Sequence, residues 1–280
     1  LAAWIESSKS GRSFLDSKTL LIVDEAGLLS SRDMQLILNE VKKSGAKLLL
    51  VGDRNQLQAI GAGPGLALVA RAVEHTCVST ILRQHHEWAR DAISAWGKGN
   101  VAQALDSFMQ RKQLIEVDGA QQAIRAAVDQ WENNQRLFPT ESTLLIAKTN
   151  AETAAIGKEV RARKLASGTV YGPSITVRTA TPSGHTSEIA LAAGDKIRFL
   201  KRSDKLNVVN GTTGTITRVS GLPSAKNSKQ QLIEAEVDGR LITFSPNDLA
   251  DDKGRACLGW AYASTIYGAQ GLTVEHAVVL

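Results

Sequence analysis

The chain has 280 residues, of which 43% are hydrophobic and 22% charged, and carries a formal net charge of +5. That balance is ordinary for a globular protein in water and leaves room for two domains, while the modest positive excess permits a polyanionic partner without identifying one. No apolar run approaches the roughly 20 residues of a membrane-spanning helix, and Cys77 and Cys257 have no metal-ligand spacing, so a helical membrane span and a cysteine-held metal are excluded and a reduced, cytoplasmic protein is expected.

In chain order, a helix from Leu1 leads through the loop Ser7-Ser8-Lys9-Ser10-Gly11 to an apolar run, Leu20-Leu21-Ile22-Val23, that stops at Asp24-Glu25. A second run, Leu48-Leu49-Leu50-Val51, stops at Gly52-Asp53. Apolar runs without alternation predict parallel strands covered on both faces. Between them Ser30 or Ser31 caps a helix carrying Met34, Ile37, Leu38 and Val41 at helical spacing, and Ser44-Gly45 closes it. Long helices are expected around 88–110 and 119–134, then a strand Thr143 to Ala147 and a helix Ala151 to Leu165. From about 168 the pattern changes to short β-branched runs: Ile175 to Val177, Lys196 to Phe199, Thr213 to Thr217, Leu232 to Val237 and Leu241 to Phe244. The turn dipeptides Asn210-Gly211 and Asp238-Gly239 separate some of them, with Ser220 to Gln231 as a polar loop. These runs predict an inserted small β-barrel of about five strands, SH3-like or OB-like. From Ala256 the α/β pattern returns and runs to the strand His276 to Leu280.

Carboxylates at the carboxyl ends of parallel strands lie where open α/β sheets bind their ligands. A magnesium nucleotide needs one carboxylate to hold the ion and another to orient the attacking water, roles that Asp24 and Glu25 can divide. An acidic turn accounts for such a pair about as well when it stands alone. The second strand end, with Gly52, Asp53, Gln56, Leu57, Ile60 and Gly61, is more specific: the glycine permits close backbone approach, and the Gln56 amide both donates and accepts. Asp53 either orients that site or caps a helix.

Asp24-Glu25-Ala26-Gly27 resembles the Walker B element of superfamily-1 DNA helicases, and Gly52 to Gly61 their following sensor motif. Ile81-Leu82-Arg83-Gln84 is similar to the arginine motif that opens the second RecA-like domain. Tyr262 to Gly271 resembles the Thr-x-His-x-x-Gln-Gly motif near that domain's end. Their order is that of the branch holding the exonuclease V alpha subunit (RecD-like) and the TraI/TraA-type conjugative relaxase-helicases; Gly268-Ala269-Gln270-Gly271 and the β insertion after Gly194-Asp195 favour the conjugative group. The resemblance implies an α/β fold of two RecA-like P-loop NTPase domains, the first partial. Residues 1–73 would belong to the first, 74–167 and 256–280 to the second, and 168–255 to the inserted barrel. It implies ATP and Mg2+ as cofactors and single-stranded DNA as partner, together with other conjugation or DNA-processing proteins.

Position by position, Asp24 would hold magnesium and Glu25 polarise the water. Gln56 would read the γ-phosphate, Arg83 would reach it as a charged donor, and Gly52, Asp53, Gln270 and Gly271 would line the nucleotide cleft. Lys148, Thr149, Asn150, Thr265 and Tyr267 would face the DNA. A helix cap by Asn150 competes with a DNA role for its segment, and core positions compete for Thr265 and Tyr267. The family commonly has His where Tyr267 stands and Lys where Gly268 stands, so an aromatic platform is kept and a charge is lost. Lys196, Arg198, Lys201, Arg202 and Lys205 form a basic set on the β insertion, suited to backbone phosphates or to a solvated face.

No Gly-x-x-x-x-Gly-Lys-Ser/Thr phosphate cradle occurs, and Ser8 to Arg12 lacks its glycine spacing. The family's last arginine motif is also missing. Both absences lie beyond the ends in family order, so a fragment of a longer helicase is expected, inactive by itself. A catalytically dead single-strand-binding remnant and an exonuclease V-type repair motor are the alternatives.

Overall fold

The computed structural model describes residue 4 and residues 15–53, 56–78, 81, 83–181, 184–221 and 231–280. The expected N-terminal helix apart from Trp4, the 7–11 loop, Leu82 of the arginine motif and residues 222–230 of the polar loop lie outside the described residues. The chain forms two compact units, 1–113 and 114–280.

In the first unit β1 (Leu20–Val23) leads through a short 3-10 turn to α1 (Ser31–Ser44), then to β2 (Lys47–Leu50). Two helices that follow are α2 (Gly65–Ala72) and α3 (Glu87–Gly97), and α4 (Val101–Gln110) completes the unit. Of the two serines offered as cap, Ser30 takes the role: its Oγ accepts from the Asp33 N–H at 3.2 Å. Gly45 ends α1 at φ +71°, a left-handed conformation that glycine adopts without strain. Asp33 in the first turn and Lys42 and Lys43 in the last complement the helix dipole. β1 and β2 pair in parallel with Val23 opposite Leu50. Leu21, Val23, Leu48 and Leu50 pack against Met34 and Ile37 of α1 and Leu66 and Val69 of α2.

Among the described residues nothing covers the opposite face as expected, for Leu20 is 53% and Ile22 57% exposed. Both helices lie on one side, so the apolar runs show an alternation of burial that their composition hides. The helix expected over 88–110 is two, broken at Lys98–Asn100 with Gly99 at φ +85°. The pair is held by an edge-on contact of Trp88 and Phe108, ring centroids 5.5 Å apart, with the Arg111 guanidinium 4.5 Å from the Trp88 ring centre.

In the second unit α5 (Ala120–Leu137), β3 (Thr143–Ala147) and α6 (Asn150–Ala166) precede a run of antiparallel strands. These are β4 (Tyr171–Ala180), β5 (Thr186–Ala193), β6 (Lys196–Phe199), β7 (Thr213–Ser220), β8 (Leu232–Val237), β9 (Arg240–Phe244) and β10 (Leu258–Trp260). The chain then gives β11 (Ser264–Thr265), the single-turn α7 (Ile266–Ala269) and β12 (His276–Val279). β3 is the centre of a parallel sheet of order β11-β3-β12. Leu145 of that sheet packs with Trp131 of α5 and Ile156 and Val160 of α6.

The β insertion is not a closed barrel. β4 and β5 form a separate ribbon, and the five-stranded sheet β10-β6-β7-β8-β9 ends at β10 and β9, which do not pair with each other. Ribbon and sheet share one core, in which Ile175, Val177 and Leu191 meet Ile197, Phe199, Ile216, Ile233 and Phe244. Face packing thus buries the apolar side without ring closure. Asp238 (φ +49°) and Gly239 (φ +70°) make the two-residue turn between β8 and β9, the geometry such dipeptides favour. Asn210-Gly211 instead lies within the longer connection from β6 to β7.

Candidate functional site

The first constellation lies where β1 and β2 end. Val51 donates its N–H to the Val23 carbonyl (2.9 Å), and Ala26 donates to the Val51 carbonyl (2.8 Å), so both strand ends are tied by backbone. Asp24 is exposed, and its Oδ1 accepts the Glu25 N–H at 2.8 Å. Glu25 adopts φ +53°, ψ +37°, a left-handed conformation uncommon for a side-chain-bearing residue and often stored at functional turns. Gly27 and Gly52 explain how the two loops approach. A Cβ on Gly52 would sit 2.9 Å from the Gly27 nitrogen and 3.0 Å from the Ala26 nitrogen, and one on Gly27 would sit 3.0 Å from the Asp53 carbonyl oxygen. Gln56 Nε2 donates to Asp53 Oδ2 at 3.2 Å.

Asp24, Glu25, Gly52, Asp53 and Gln56 are therefore brought together. Arg83 is exposed just before α3, and no described hydrogen bond or ion pair joins it to them. Among the described residues no group of three or more His, Cys, Asp or Glu side chains is arranged to hold a metal. One accessible carboxylate such as Asp24 fits Mg2+, which keeps several waters and takes ligands from substrate phosphates. A triphosphate fits less well, because no cradle of the Gly-x-x-x-x-Gly-Lys-Ser/Thr type is present in the 280 residues.

The second constellation lies at the carboxyl end of the parallel sheet in the other unit. Register pairs Ser264 with Ile146 and Thr265 with Ala147, so Lys148 to Asn150 and Ile266 to Gly268 leave neighbouring strands at the same edge. Thr149, not Asn150, caps α6 through a reciprocal box: its Oγ1 accepts from the Glu152 N–H (3.1 Å), while Glu152 Oε2 accepts from the Thr149 N–H (2.8 Å). Those hydrogen bonds, the backbone one foremost, hold the Glu152 carboxyl below its ordinary range. Thr265 caps α7 by accepting from the Gly268 N–H at 3.1 Å, and Tyr267 is 45% exposed. A Cβ on Gly268 would lie 2.7 Å from Ser264 Oγ, so a side chain there would have to displace that hydroxyl. Gln270 is half-buried and Gly271 turns at φ +79°.

One cluster escaped sequence reasoning. Asp195, fully buried, accepts from Arg161 Nε (3.0 and 3.1 Å), the Tyr262 hydroxyl (2.6 Å) and the Ala192 N–H (2.8 Å). Arg161 also lies over the Trp260 ring, 5.6 Å from its centre. Burial, then the Asp195 carboxylate, raises the Tyr262 hydroxyl far above its usual pKa, so it stays a donor. The cluster joins α6 and the strand end before β11 to the corner between β5 and β6. The Gly194-Asp195 pair marked that corner in the sequence, but nothing there pointed to its buried partners.

The profile of a family described as an AAA domain matches residues 1–119. A probable conjugal transfer protein TraA from Sinorhizobium fredii is 30% identical over 281 residues, and a conjugal transfer protein TraA from Agrobacterium fabrum is 30% identical over 280 residues. Each alignment covers 100% of this chain and 24% of the relative, so the chain spans about a quarter of their length. A Pif1 helicase from Bacteroides in complex with ADP-AlF3 and single-stranded DNA shares the fold at a TM-score of 0.58 and 15% identity, over 93% of this chain and 64% of that one. A structure of DNA unwinding at forked duplex DNA by two coordinating Pif1 helicases matches at a TM-score of 0.60 and 15% identity, over 98% and 70%. No described helix is long and apolar enough to cross a membrane.

Proposed function

Because the chain belongs to the superfamily-1 helicases of the TraA conjugal-transfer type, we propose that it is part of an ATP-driven motor that moves along single-stranded DNA during conjugation. Residues 1–73 supply the water-activating part of one RecA-like domain, 74–167 with 256–280 supply a second, and 168–255 are an insertion in it. The observation that supports this reading most is the tying of the β1 and β2 ends through Gly27 and Gly52, which sets two carboxylates beside the Asp53–Gln56 pair. Relatives named for conjugal transfer align over the full chain, which favours that setting over a repair motor. ATP as substrate places the work in the cytoplasm.

Asp24 would hold Mg2+, which when bound neutralises phosphate charge. Glu25 orients and deprotonates the attacking water, and Gln56, aligned by Asp53, hydrogen-bonds that water or the terminal phosphate. Arg83 adds a charged donor to the same phosphate, and Gln270 and Gly271 line the nucleotide side of the second domain. Lys148, Thr149, Asn150, Thr265 and Tyr267 hold the strand, Lys148 by charge and Tyr267 by stacking.

Without a phosphate cradle the 280-residue chain is expected to bind a fluorescein-labelled oligo-dT but to show no steady-state ATP turnover. Turnover by this chain that disappears in Glu25→Gln would overturn the assignment of the cradle as indispensable. In a protein that joins this chain to a cradle, Glu25→Gln should lower kcat by about 10²–10⁴-fold, the range of a lost general base, with little change in KM for ATP.

A further inference from the structure

Of the five basic residues between Lys196 and Lys205 in the β insertion, four are exposed or paired and one is neither. Lys201 Nζ donates to the Ala250 carbonyl at 3.1 Å, Arg202 pairs with Asp204 at 2.7 Å, Lys205 pairs with Asp248 at 2.8 Å, and Lys196 is exposed at the start of β6. Arg198 is the exception. It lies on β6 between the core residues Ile197 and Phe199, on the strand's other face, and is half-buried. Its register partners are Gly259 on β10, which has no side chain, and Thr213 on β7. The guanidinium donates from Nη1 to Ser264 Oγ at 3.3 Å, and its Nε is buried with no hydrogen-bond partner. Among the described residues no carboxylate pairs with it. Burial, with no acid to offset it, lowers its pKa from the ordinary guanidinium value, although an arginine remains charged at neutral pH.

A guanidinium taken partly out of water without a counter-ion is costly, and proteins keep such groups where an anion arrives. Its position says which anion. Nη1 lies 3.6 Å from where a Gly268 Cβ would be, so the charge stands at the turn that carries Thr265 and the exposed Tyr267. That turn is at the carboxyl edge of the parallel sheet, beside Lys148. A phosphate at this turn would have a charged donor within reach and an exposed tyrosine in the same turn, two groups that suit a nucleotide within a strand.

We propose that Arg198, reaching out of the β insertion to the Ser264–Gly268 turn, binds a backbone phosphodiester of the single strand. The assignment rests on the single-strand reading of this edge given above. It makes the insertion a direct part of the strand-binding surface at one defined residue, rather than through a diffuse basic face.

The test is equilibrium binding of the 280-residue chain to fluorescein-labelled oligo-dT across a series of salt concentrations. Arg198→Met, which keeps the stem and removes the charge, should weaken binding about tenfold, the worth of one charge-assisted contact. It should also reduce the slope of log K against log salt by about 0.7, one phosphate's share on a single strand. Arg198→Lys should restore the slope and part of the affinity, and Arg202→Met, which removes a paired arginine, should change neither. Thermal melting of Arg198→Met at or above that of the parent chain would show that the loss is not one of folding. If the parent chain binds oligo-dT and Arg198→Met matches it in affinity and slope, the Arg198 assignment fails alone. Equal losses in Arg202→Met would also overturn it. If the parent chain itself does not bind, the single-strand reading fails and takes this assignment with it.

Discussion

Replacing Asp195 with asparagine should be among the most damaging conservative changes available in the second unit. The carboxylate is fully buried and receives donors from three places: the Arg161 guanidinium, the Tyr262 hydroxyl and the Ala192 N–H. An amide of the same shape keeps one acceptor oxygen but leaves the Arg161 charge uncompensated, and Arg161 Nη2 is already buried without a partner. Removing one member of a buried ion pair costs about 3–5 kcal/mol. Partial screening is small here, because the Arg161 side chain is only 11% and that of Asp195 0% exposed. For a unit of this size each kcal/mol moves the midpoint by about 2–4 °C, so the unfolding of residues 114–280 should shift down by roughly 6–20 °C. Differential scanning calorimetry reads this directly, and a double-mutant cycle with Arg161→Met isolates the pair, since removing both charges should cost less than removing the acid alone. An Asp195→Asn variant within about 1 kcal/mol of the parent would refute the reasoning and mean that the charge pair contributes no more than an exposed one.

Two further outcomes are expected. Gly52→Ala places a Cβ 2.9 Å from the Gly27 nitrogen and from Leu66 Cδ2, so the strand ends must part; a loss of about 1–3 kcal/mol in urea unfolding is expected, and an unchanged midpoint would rule out the tight approach. Asp251 is pulled down to about 2, first by the Arg255 side chain and then by the Arg255 N–H. Its folded pKa lies below its unfolded one, so its contribution is present above about pH 4 and is lost as pH falls through about 2. Asp251→Asn should therefore flatten the acid limb of stability between those pH values, and an unaltered limb would exclude the linkage.

The β1–α1–β2 segment of the first unit was legible because its signals are strong ones along the chain. The apolar runs ending at Asp24-Glu25 and at Gly52-Asp53 pair with each other across a single helix, which Ser30 and Gly45 bound at its two ends. What failed depended on distant partners. Barrel closure is a matter of which strands meet at the ends of a sheet, and the β-branched runs are the same for an open sheet faced by a ribbon. β5 was overlooked because Ala190, Ala192 and Ala193 do not look like a strand until Leu191 and its flanking residues are buried against β4. The break at Lys98-Gly99-Asn100 carries a local signal, since Gly97 and Gly99 flank a lysine where a single long helix would have to run on. Most instructive is the charge that the sequence lacks at Gly268: the structure puts a guanidinium from Arg198 beside that very turn, 70 residues upstream, which no spacing along the chain could announce.

The order β11-β3-β12 has a consequence for how the protein is made. β3 finds its neighbours only at Ser264–Thr265 and His276–Val279, across the whole antiparallel insertion. At a ribosomal pace of about 5–20 residues per second, its partners emerge roughly 6–25 s after it does. In that interval the strands from Tyr171 to Trp260 can assemble their shared core, while Thr143–Ala147 has only α5 and α6 to shield its apolar side chains. The central strand of the second unit is thus the first of its sheet to be made and must wait for both neighbours, with two open edges exposed during synthesis.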